Sequence, residues 1–486
     1  MTTTAPAIVG PDETKRVMTG SRRPREVVIV GGGASGVLVA AHLLLKTRAA
    51  RVSVIERRDR LGAGIAYGTD HSEHLLNVRA KGMSAFPEDP GHFWRWAKTY
   101  SRASLEVSYN QEAFAPRREY GNYLRAVLHE ASGGNRNERL QFLHDEAVDV
   151  VRTADGHDVV FRDGHRLAAD IVVLATGNEG LPMPPTGRRF DGWNTDAVAS
   201  IPRSAAVAIV GTGLTMADQV LSLLHGGHEG TITAISRRGL VHHGHVTRRA
   251  ASIPREEIPF GAPLTRLFRW LRTRVRESEQ ADVNWRETID GLRPYTQELW
   301  QGLNADDRRR FLRHVRPWWD IHRHRMAPRV RRALDEAMRS GMLRIVAARV
   351  TGFRETEDAI DISIVPRGSS TTETVRAEVV LECRGNSGIA TTANPVLLAL
   401  LKRGAARPSP LGLGIDVTPA SVLIDAAGRE TPGLYAVGPL TAGRFWEIVA
   451  VPDIRVQAAA LVRRWIEAGI LEPAEVHPTE GGGAQT

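Results

Sequence analysis

The sequence predicts an α/β protein in which one strand, glycine turn, helix and strand unit is inserted into another, with a helical elaboration on the inserted unit. Three observations carry this. A G-x-G-x-x-G turn, Gly31 to Gly36, directly follows an apolar strand. A second glycine turn, Gly211 to Met216, stands in the same setting. Two later segments echo each other, Val172-Val173-Leu174-Ala175-Thr176-Gly177 and Val379-Val380-Leu381-Glu382-Cys383-Arg384-Gly385, as return strands of a split fold would. Alternating strand and helix gives a parallel sheet covered on both faces, so both units are expected to be Rossmann-like. The 486 residues suffice for two to four domains, and 42% apolar with 24% charged residues is a globular composition.

Residues 1–24 are polar, Pro-containing and aperiodic, and are expected to form a disordered tail. Val27 to Val30 is a short buried strand, Val37 to Leu45 a buried helix and Arg51 to Ile55 a second strand. Residues 146–174 break into short alternating runs around Asp155-Gly156 and Asp163-Gly164, pairs that tight hairpins favour, and lead into the buried strand Ile171 to Leu174. The second unit spans Ala206 to Ser236. Residues 262–340 have a helical pattern rich in Arg and Trp, and residues 343–385 repeat the earlier meander. Pro452 suits the first turn of a helix running to about Trp465, with Val456, Ala459, Ala460 and Val462 for its buried side. The expected division is therefore a tail at 1–24, the first half of an outer domain at 25–200, the inserted domain with its helices at 201–342, the second half of the outer domain at 343–472, and a flexible tail at 473–486.

Composition excludes several classes. Cys383 is the only cysteine, so an intramolecular disulfide, a Cys-x-x-Cys redox pair and a Cys-built zinc site are ruled out. The net charge of +9 raises a nucleic-acid or anionic-membrane partner. Only Lys15, Lys46, Lys81, Lys98 and Lys402 are lysines, so the excess is arginine, interleaved with acids along the chain. It reads as background that leaves some guanidinium groups for anionic cofactors or substrates. The Trp318-Trp319 pair has no nucleic-acid motif beside it and reads as packing. No apolar stretch has the length of a membrane span and no signal-peptide pattern opens the chain, so a cytoplasmic location is expected. His242, His243, His245, His322 and His324 cluster without a Cys, Asp or Glu at familiar ligand spacing, and hydrogen bonding is expected of them rather than metal binding.

The glycine turns carry the chemistry. Gly31 permits the tight turn, Gly33 lets a pyrophosphate approach the backbone, and Gly36 allows close helix and strand packing, while the helix N-terminus supplies free N–H groups. Glu56 ends the next strand, where a carboxylate holds the ribose hydroxyls of an adenine dinucleotide. In the second turn Gly211 and Gly213 are kept, but Met216 replaces the third glycine. After the following strand the acid gives way to Ser236-Arg237-Arg238, which accept a 2′-phosphate that a carboxylate would repel. The first site thus suits FAD and the second NADPH, a pairing in which a flavin receives a hydride from a nicotinamide.

Beyond these turns, the chain resembles the two-dinucleotide-domain flavoproteins, and within them the FAD/NAD(P)-binding protein family. The segments that carry the resemblance are His74 to Trp96, Pro116 to Leu124, Gly211 to Leu224, Ser236 to Leu240, Trp318 to Pro328 and Gly443 to Gln457, in that order. The resemblance extends to flavin N-monooxygenases, including aspartate N-monooxygenases that form nitrosuccinate in natural-product pathways. It implies FAD on the split domain, NADPH on the inserted one, and N-oxygenation of a small amine or amino acid by a C4a-hydroperoxyflavin, with L-aspartate to nitrosuccinate as the sharpest version. It also implies flavin contacts at Asn77, Met83 and Ser84 and substrate contacts at Arg117, Tyr120 and Tyr123. A dicarboxylic substrate needs bidentate guanidinium partners, for which Arg323, Arg325 and Arg455 are candidates beside Arg117. Ala175-Thr176-Gly177 resembles a linker of monooxygenases that retain NADP+, and serves equally as a plain return strand.

One departure stands out. Flavoproteins of this class carry an aspartate after the glycine of the last strand, where Pro439 follows Gly438 here, so backbone N–H groups are expected to replace it. Two other functions stay open at the level of sequence: an NADPH-dependent flavin reductase or oxidase without oxygen insertion, and a flavin-dependent regulatory or binding protein.

Overall fold

The computed structural model describes residues 24–48, 50–101, 110–134, 138–178, 183, 187–247, 250–385 and 388–474. The two expected tails lie outside the described residues except at Pro24 and at Pro473-Ala474. There the Ala474 N–H donates to the Lys46 carbonyl at 2.9 Å.

The outer domain opens with β1 (Arg25–Val30), whose last four residues are all buried, as a parallel strand covered on both faces requires. It turns into α1 (Ala34–Lys46), buried without interruption from Ser35 to Leu44, and returns as β2 (Ala50–Glu56) in parallel register with β1. Next come α2 (His92–Tyr100), α3 (Arg117–Ala131) and β3 (Leu140–His144). A separate antiparallel sheet of β4 (Ala147–Arg152), β5 (His157–Phe161) and β6 (Arg166–Ala169) leads to β7 (Ile171–Leu174), wholly buried beside β1.

The inserted unit comprises β8 (Arg189–Asp191), α4 (Thr195–Ala199), β9 (Val207–Val210), α5 (Leu214–His225) and β10 (Ile232–Ser236). Its helical elaboration is α6 (Leu264–Gln280), α7 (Trp285–Gly291), α8 (Thr296–Gly302), α9 (Ala305–Arg310), α10 (Arg316–Arg323) and α11 (Pro328–Arg339). The strands β11 (Leu343–Glu355), β12 (Ile360–Pro366), β13 (Glu373–Ala377) and β14 (Val379–Glu382) follow. The chain then re-enters the outer domain through α12 (Pro395–Arg403), β15 (Val422–Ile424), β16 (Glu430–Ala436) and α13 (Val451–Glu467).

Sheet order shows the nesting. One sheet runs β15-β16-β7-β1-β2-β3 and the other β13-β12-β11-β10-β9-β14-β8. This corrects the expected boundaries. Leu343 pairs with Ile232 and Val379 with Val207, so residues 343–382 complete the inserted sheet instead of reopening the outer domain. β8 joins the same sheet through β14, so the first half of the outer domain closes after its return strand and not at 200. The two echoing return strands mark two complete units, each with its own meander.

The helices of the insert also reach across. Leu264, Trp300 and Leu303 share an apolar cluster with Trp446 of the outer domain, Trp300 stacks on Trp446 at 4.6 Å, and the Trp300 Nε1 donates to the Gly443 carbonyl at 3.1 Å. Pro452 lies in the first turn of α13 as expected, and of the expected buried side Val462 is buried, but the rest of the buried face is a different one. Ile454, Ala458, Leu461, Val462 and Trp465 are buried where α13 packs on α1, Ala459 and Ala460 are half-buried, and Val456 is 53% exposed. Among the described residues no helix is long and apolar enough to cross a membrane.

The tightest contact in the frame is at Gly36, where a Cβ would fall 1.9 Å from the Gly31 carbonyl oxygen. Gly36→Ala is expected to lower the stability of the outer domain by about 2–3 kcal/mol in urea titrations. Gly352→Ala, which places a Cβ in open space, should stay within about 0.5 kcal/mol of the parent.

Candidate functional site: two dinucleotide cradles and the cleft between them

The first cradle is set by backbone sterics. Gly31 has φ +109° and its N–H donates to the Ile55 carbonyl at 2.9 Å. Any side chain there would meet the Ala175 carbonyl at 2.4 Å. Gly33 caps α1 in an extended conformation without a side-chain cap, which leaves the helix N-terminus for an anion. The Glu56 carboxylate accepts the Gly32 N–H at 2.9 Å and the Arg58 N–H at 3.0 Å, so the acid is locked to the turn it serves. A cavity of about 60 Å³ opens here, lined by Gly31, Glu56, Arg58, Thr176, Asn178 and Asn394. Among the described residues the buried Thr176 Oγ1 has no hydrogen-bond partner, as expected of a hydroxyl that meets a polar ligand. The residues present therefore fit an adenine dinucleotide.

The second cradle repeats the first. Gly211 has φ +119°, donates to the Ile235 carbonyl at 2.8 Å, and would place a Cβ 2.4 Å from the Cys383 carbonyl. Gly213 caps α5, and a Cβ there would meet nothing within 4 Å. The Ser236 Oγ accepts the Gly239 N–H at 3.0 Å and shapes the turn that presents Arg237. A cavity of about 470 Å³ is lined by Gly211, Gly213, Ser236, Arg237, Arg349 and Arg384. Arg384 is steered by both oxygens of Glu382, whereas Arg238 turns away to the Arg313 carbonyl at 3.3 Å. Arg349, on β11, was invisible to sequence reasoning, since only strand pairing brings it beside a turn far upstream.

Between the cradles lies a cleft of about 670 Å³, walled by residues 57–70 of the outer domain and by Asp191, Trp193, Asn194 and Asp218 of the inserted one. At its floor Arg117 of α3 pairs with Asp218 of α5 at 2.8 Å and donates to the Leu75 carbonyl at 3.2 Å. His74 bridges Thr69, at 2.8 Å, and Ser222, at 2.7 Å. Burial pushes the Asp218 carboxyl up to about 6 against the pull of Arg117, so the pair is ionised at neutral pH. Burial, helped by Arg117, pushes His74 down to about 4.

The other expected residues fall into two groups. Met83, Ser84, Tyr120, Tyr123 and Arg455 come together: the Arg455 Nη1 donates to the Ser84 carbonyl at 2.9 Å, and the Tyr123 hydroxyl accepts the Ala85 N–H at 3.0 Å. The Tyr120 hydroxyl and the Arg455 Nε are both buried without partners among the described residues. The Asn77 carbonyl lies 2.9 Å from the His245 Nε2. Arg323 pairs with Glu447 at 3.1 Å, and Arg325, 2% exposed, grips both oxygens of Asp290. Three of the four arginines expected to receive a substrate carboxylate, Arg117, Arg323 and Arg325, are thus engaged by the chain's own acids.

Gly438 also departs from expectation. Its φ is +70°, a Cβ would lie 2.3 Å from the Ser35 Oγ, and its N–H is already donated to Gln457 Oε1 at 2.8 Å, so it is not a free backbone donor. Of the histidines, His243 and His322 flank Trp285 with ring centroids near 5 Å, and the His242 Nδ1 faces the His324 carbonyl.

Comparison with known proteins agrees with this geometry. Residues 28–179 match the family model described as FAD-NAD(P)-binding, the stretch holding the first glycine turn, Glu56 and the return strand. None of the curated proteins matches the chain. Among solved structures it is similar to the ornithine N-hydroxylase of Kutzneria sp. 744, at TM-score 0.60 and 15% identity over 92% of this chain and 100% of that one. It is also similar to the L-lysine 6-monooxygenase of Pseudomonas syringae, at 0.61 and 14% over 91% and 99%. The bacillithiol disulfide reductase of Staphylococcus aureus gives 0.52 and 12% over 92% and 99%. These likenesses show the fold: two nested Rossmann-like domains of the kind that flavin and nicotinamide proteins use.

Because His74 is held well below its ordinary 6.5, its contribution to stability is complete above pH 6.5 and is lost as the pH falls toward 4. Burial holds His242, His243 and His245 at about 4 as well and gives them the same sign. Asp218, raised to about 6, has the opposite sign. Thermal unfolding is expected to shift to lower temperature between pH 6.5 and 5, and His74→Gln should flatten that dependence in calorimetry across this range.

Proposed function

We propose that the chain is a cytoplasmic FAD- and NADPH-dependent monooxygenase that N-oxygenates a small amine or amino acid. The observation that carries this is the contrast between the cradles. The first ends in a carboxylate aimed at its own glycine turn, which suits a ribose diol. The second ends in Arg237 and Arg349 with Arg384 behind them, which suits a 2′-phosphate. The fold shared with N-hydroxylating proteins supports the reading, as does the Kutzneria ornithine N-hydroxylase structure with reduced FAD, NADP+ and L-ornithine.

In this reading Gly33 and the N-terminus of α1 receive the FAD pyrophosphate, Glu56 its ribose, and Thr176 supplies a hydroxyl beside it. Gly213 and α5 do the same for NADPH. Bound FAD would supply hydride acceptance from NADPH and activation of O2, one oxygen atom of which goes to the substrate nitrogen and the other to water. The protein's part is to hold the two cofactors against one cleft, to keep water out, and to present the amine unprotonated. Asn77, Met83 and Ser84 are assigned to flavin contact. Arg455, fixed by Ser84 and lacking a carboxylate partner among the described residues, is assigned to a substrate carboxylate, with the Tyr120 hydroxyl beside it.

The sharpest version is L-aspartate to nitrosuccinate, and it rests on Arg455. Recruiting Arg117 or Arg323 would strand the buried carboxylate of Asp218 or Glu447 at a cost of about 3–5 kcal/mol.

The test is NADPH oxidation by the purified protein with a panel of amines that includes L-aspartate, with oxygenated product and hydrogen peroxide measured together. Product formed in step with NADPH supports the reading, and Arg455→Lys should then raise the KM of a carboxylate-bearing substrate by roughly tenfold. Peroxide formed in full yield whatever amine is added sinks it in favour of an NADPH oxidase. Replacing Arg237 and Arg349 together by Ala should raise the KM for NADPH by about 10²- to 10⁴-fold and leave NADH nearly unaffected, since each charge-assisted bond contributes about 1.5–3 kcal/mol.

A further inference from the structure

Helix α6 is built to be covered, and its neighbours cover it only in part. Of its 17 residues only Leu264 is buried, while Leu267, Phe268, Trp270, Leu271 and Val275 stay half-buried. Phe268, Leu271 and Val275 share one face with Arg272 and Arg276, at the three- and four-residue spacing of neighbouring turns. That face is one wall of a groove of about 570 Å³. The other wall is Trp285, Ile289, Trp318, Trp319 and His322 from α7 and α10. A narrower apolar space of about 80 Å³ shares Phe268, Leu271 and Trp319 with the groove and extends inward to Trp300 and Trp446. Trp318 is 40% exposed at the mouth. None of these residues lines either cradle or the cleft.

The rim has a sign. Arg272 and Arg276, one turn apart, have no carboxylate at ion-pair distance among the described residues, whereas Arg274 on the adjoining face pairs with Glu257. Among the described residues Glu279 is the single acid that lines the groove. An apolar floor of this volume under two unpaired guanidinium groups calls for a ligand with a hydrophobic body and an anionic end. A basic amphipathic helix can also lie on an anionic membrane, but that requires a convex apolar face, and here the apolar side chains line a concavity between helices.

We propose that the α6–α10 groove binds an amphiphilic monoanion, an aliphatic or aromatic carboxylate whose body lies between Phe268 and Trp319 and whose carboxylate meets Arg272 and Arg276. The site adds a ligand to the protein and does not depend on the reaction assigned to the cleft.

The full-length protein as purified is titrated with decanoate, decanol and decylamine below their micellar concentrations, followed by tryptophan fluorescence and by calorimetry. The expected order of affinity is decanoate, then decanol, then decylamine. Replacing Arg272 and Arg276 together by Gln should weaken decanoate by roughly tenfold and leave decanol unchanged. Val275→Glu should weaken both, with far-UV circular dichroism unaltered. The proposal is overturned if decanoate shows no saturable binding, if decylamine binds as tightly, or if the double Gln variant binds decanoate like the parent. Co-sedimentation with phosphatidylglycerol vesicles in the absence of saturable decanoate binding would overturn it in favour of a membrane surface.

Discussion

In both domains the glycine that opens the turn lies so close to the return strand that a Cβ would come within 2.4 Å of a backbone carbonyl, that of Ala175 for Gly31 and that of Cys383 for Gly211. No L-residue with a side chain satisfies this approach together with a φ above +100°. The contact fixes where the first strand stops, how steeply the helix leaves it, and where the helix N-terminus points. Everything a dinucleotide would touch is referenced to that point. The antiparallel meanders and the long helical insert are attached to two copies of one steric solution.

The cradles are joined by charge as much as by apolar packing. Arg117 with Asp218, and Arg323 with Glu447, each set a residue of one domain against a residue of the other with little exposure to solvent. Such pairs add modestly to net stability but penalise any misdocked arrangement, because separating one partner leaves a buried charge uncompensated. Glu447 shows how tightly the arrangement is specified: it has φ +64°, accepts from Trp319 as well as Arg323, and lies just ahead of α13. The Arg-rich stretch that looks on paper like a solvated face is, at Arg323 and Arg325, part of the interior.

Legibility in the sequence followed the range of the forces involved. The glycine turns, Glu56 and the first turn of α13 at Pro452 were readable because a few adjacent residues decide their geometry. The partners of Arg117, Arg323 and Arg325 were not, since each lies far along the chain or across a domain boundary. The same limit explains the misplaced border at 343. A meander announces that its strands will pair, while the choice between two sheets is made by the parallel register of Leu343 with Ile232. On α13 several faces offer apolar side chains, so only docking against α1 could select Ile454, Ala458 and Leu461 over Val456. Arg349 entered the second cradle in the same way, through strand order.

The stacked indoles of Trp300 and Trp446 belong one to each domain, with centroids 4.6 Å apart and planes 22° from parallel. Two chromophores at that separation couple their excited states, so the pair carries an optical signature that neither ring has alone. The signature exists only while the helical insert is seated on the outer domain. The chain therefore contains its own label for domain docking, readable in the near ultraviolet without added dyes and separable from flavin absorbance in the visible.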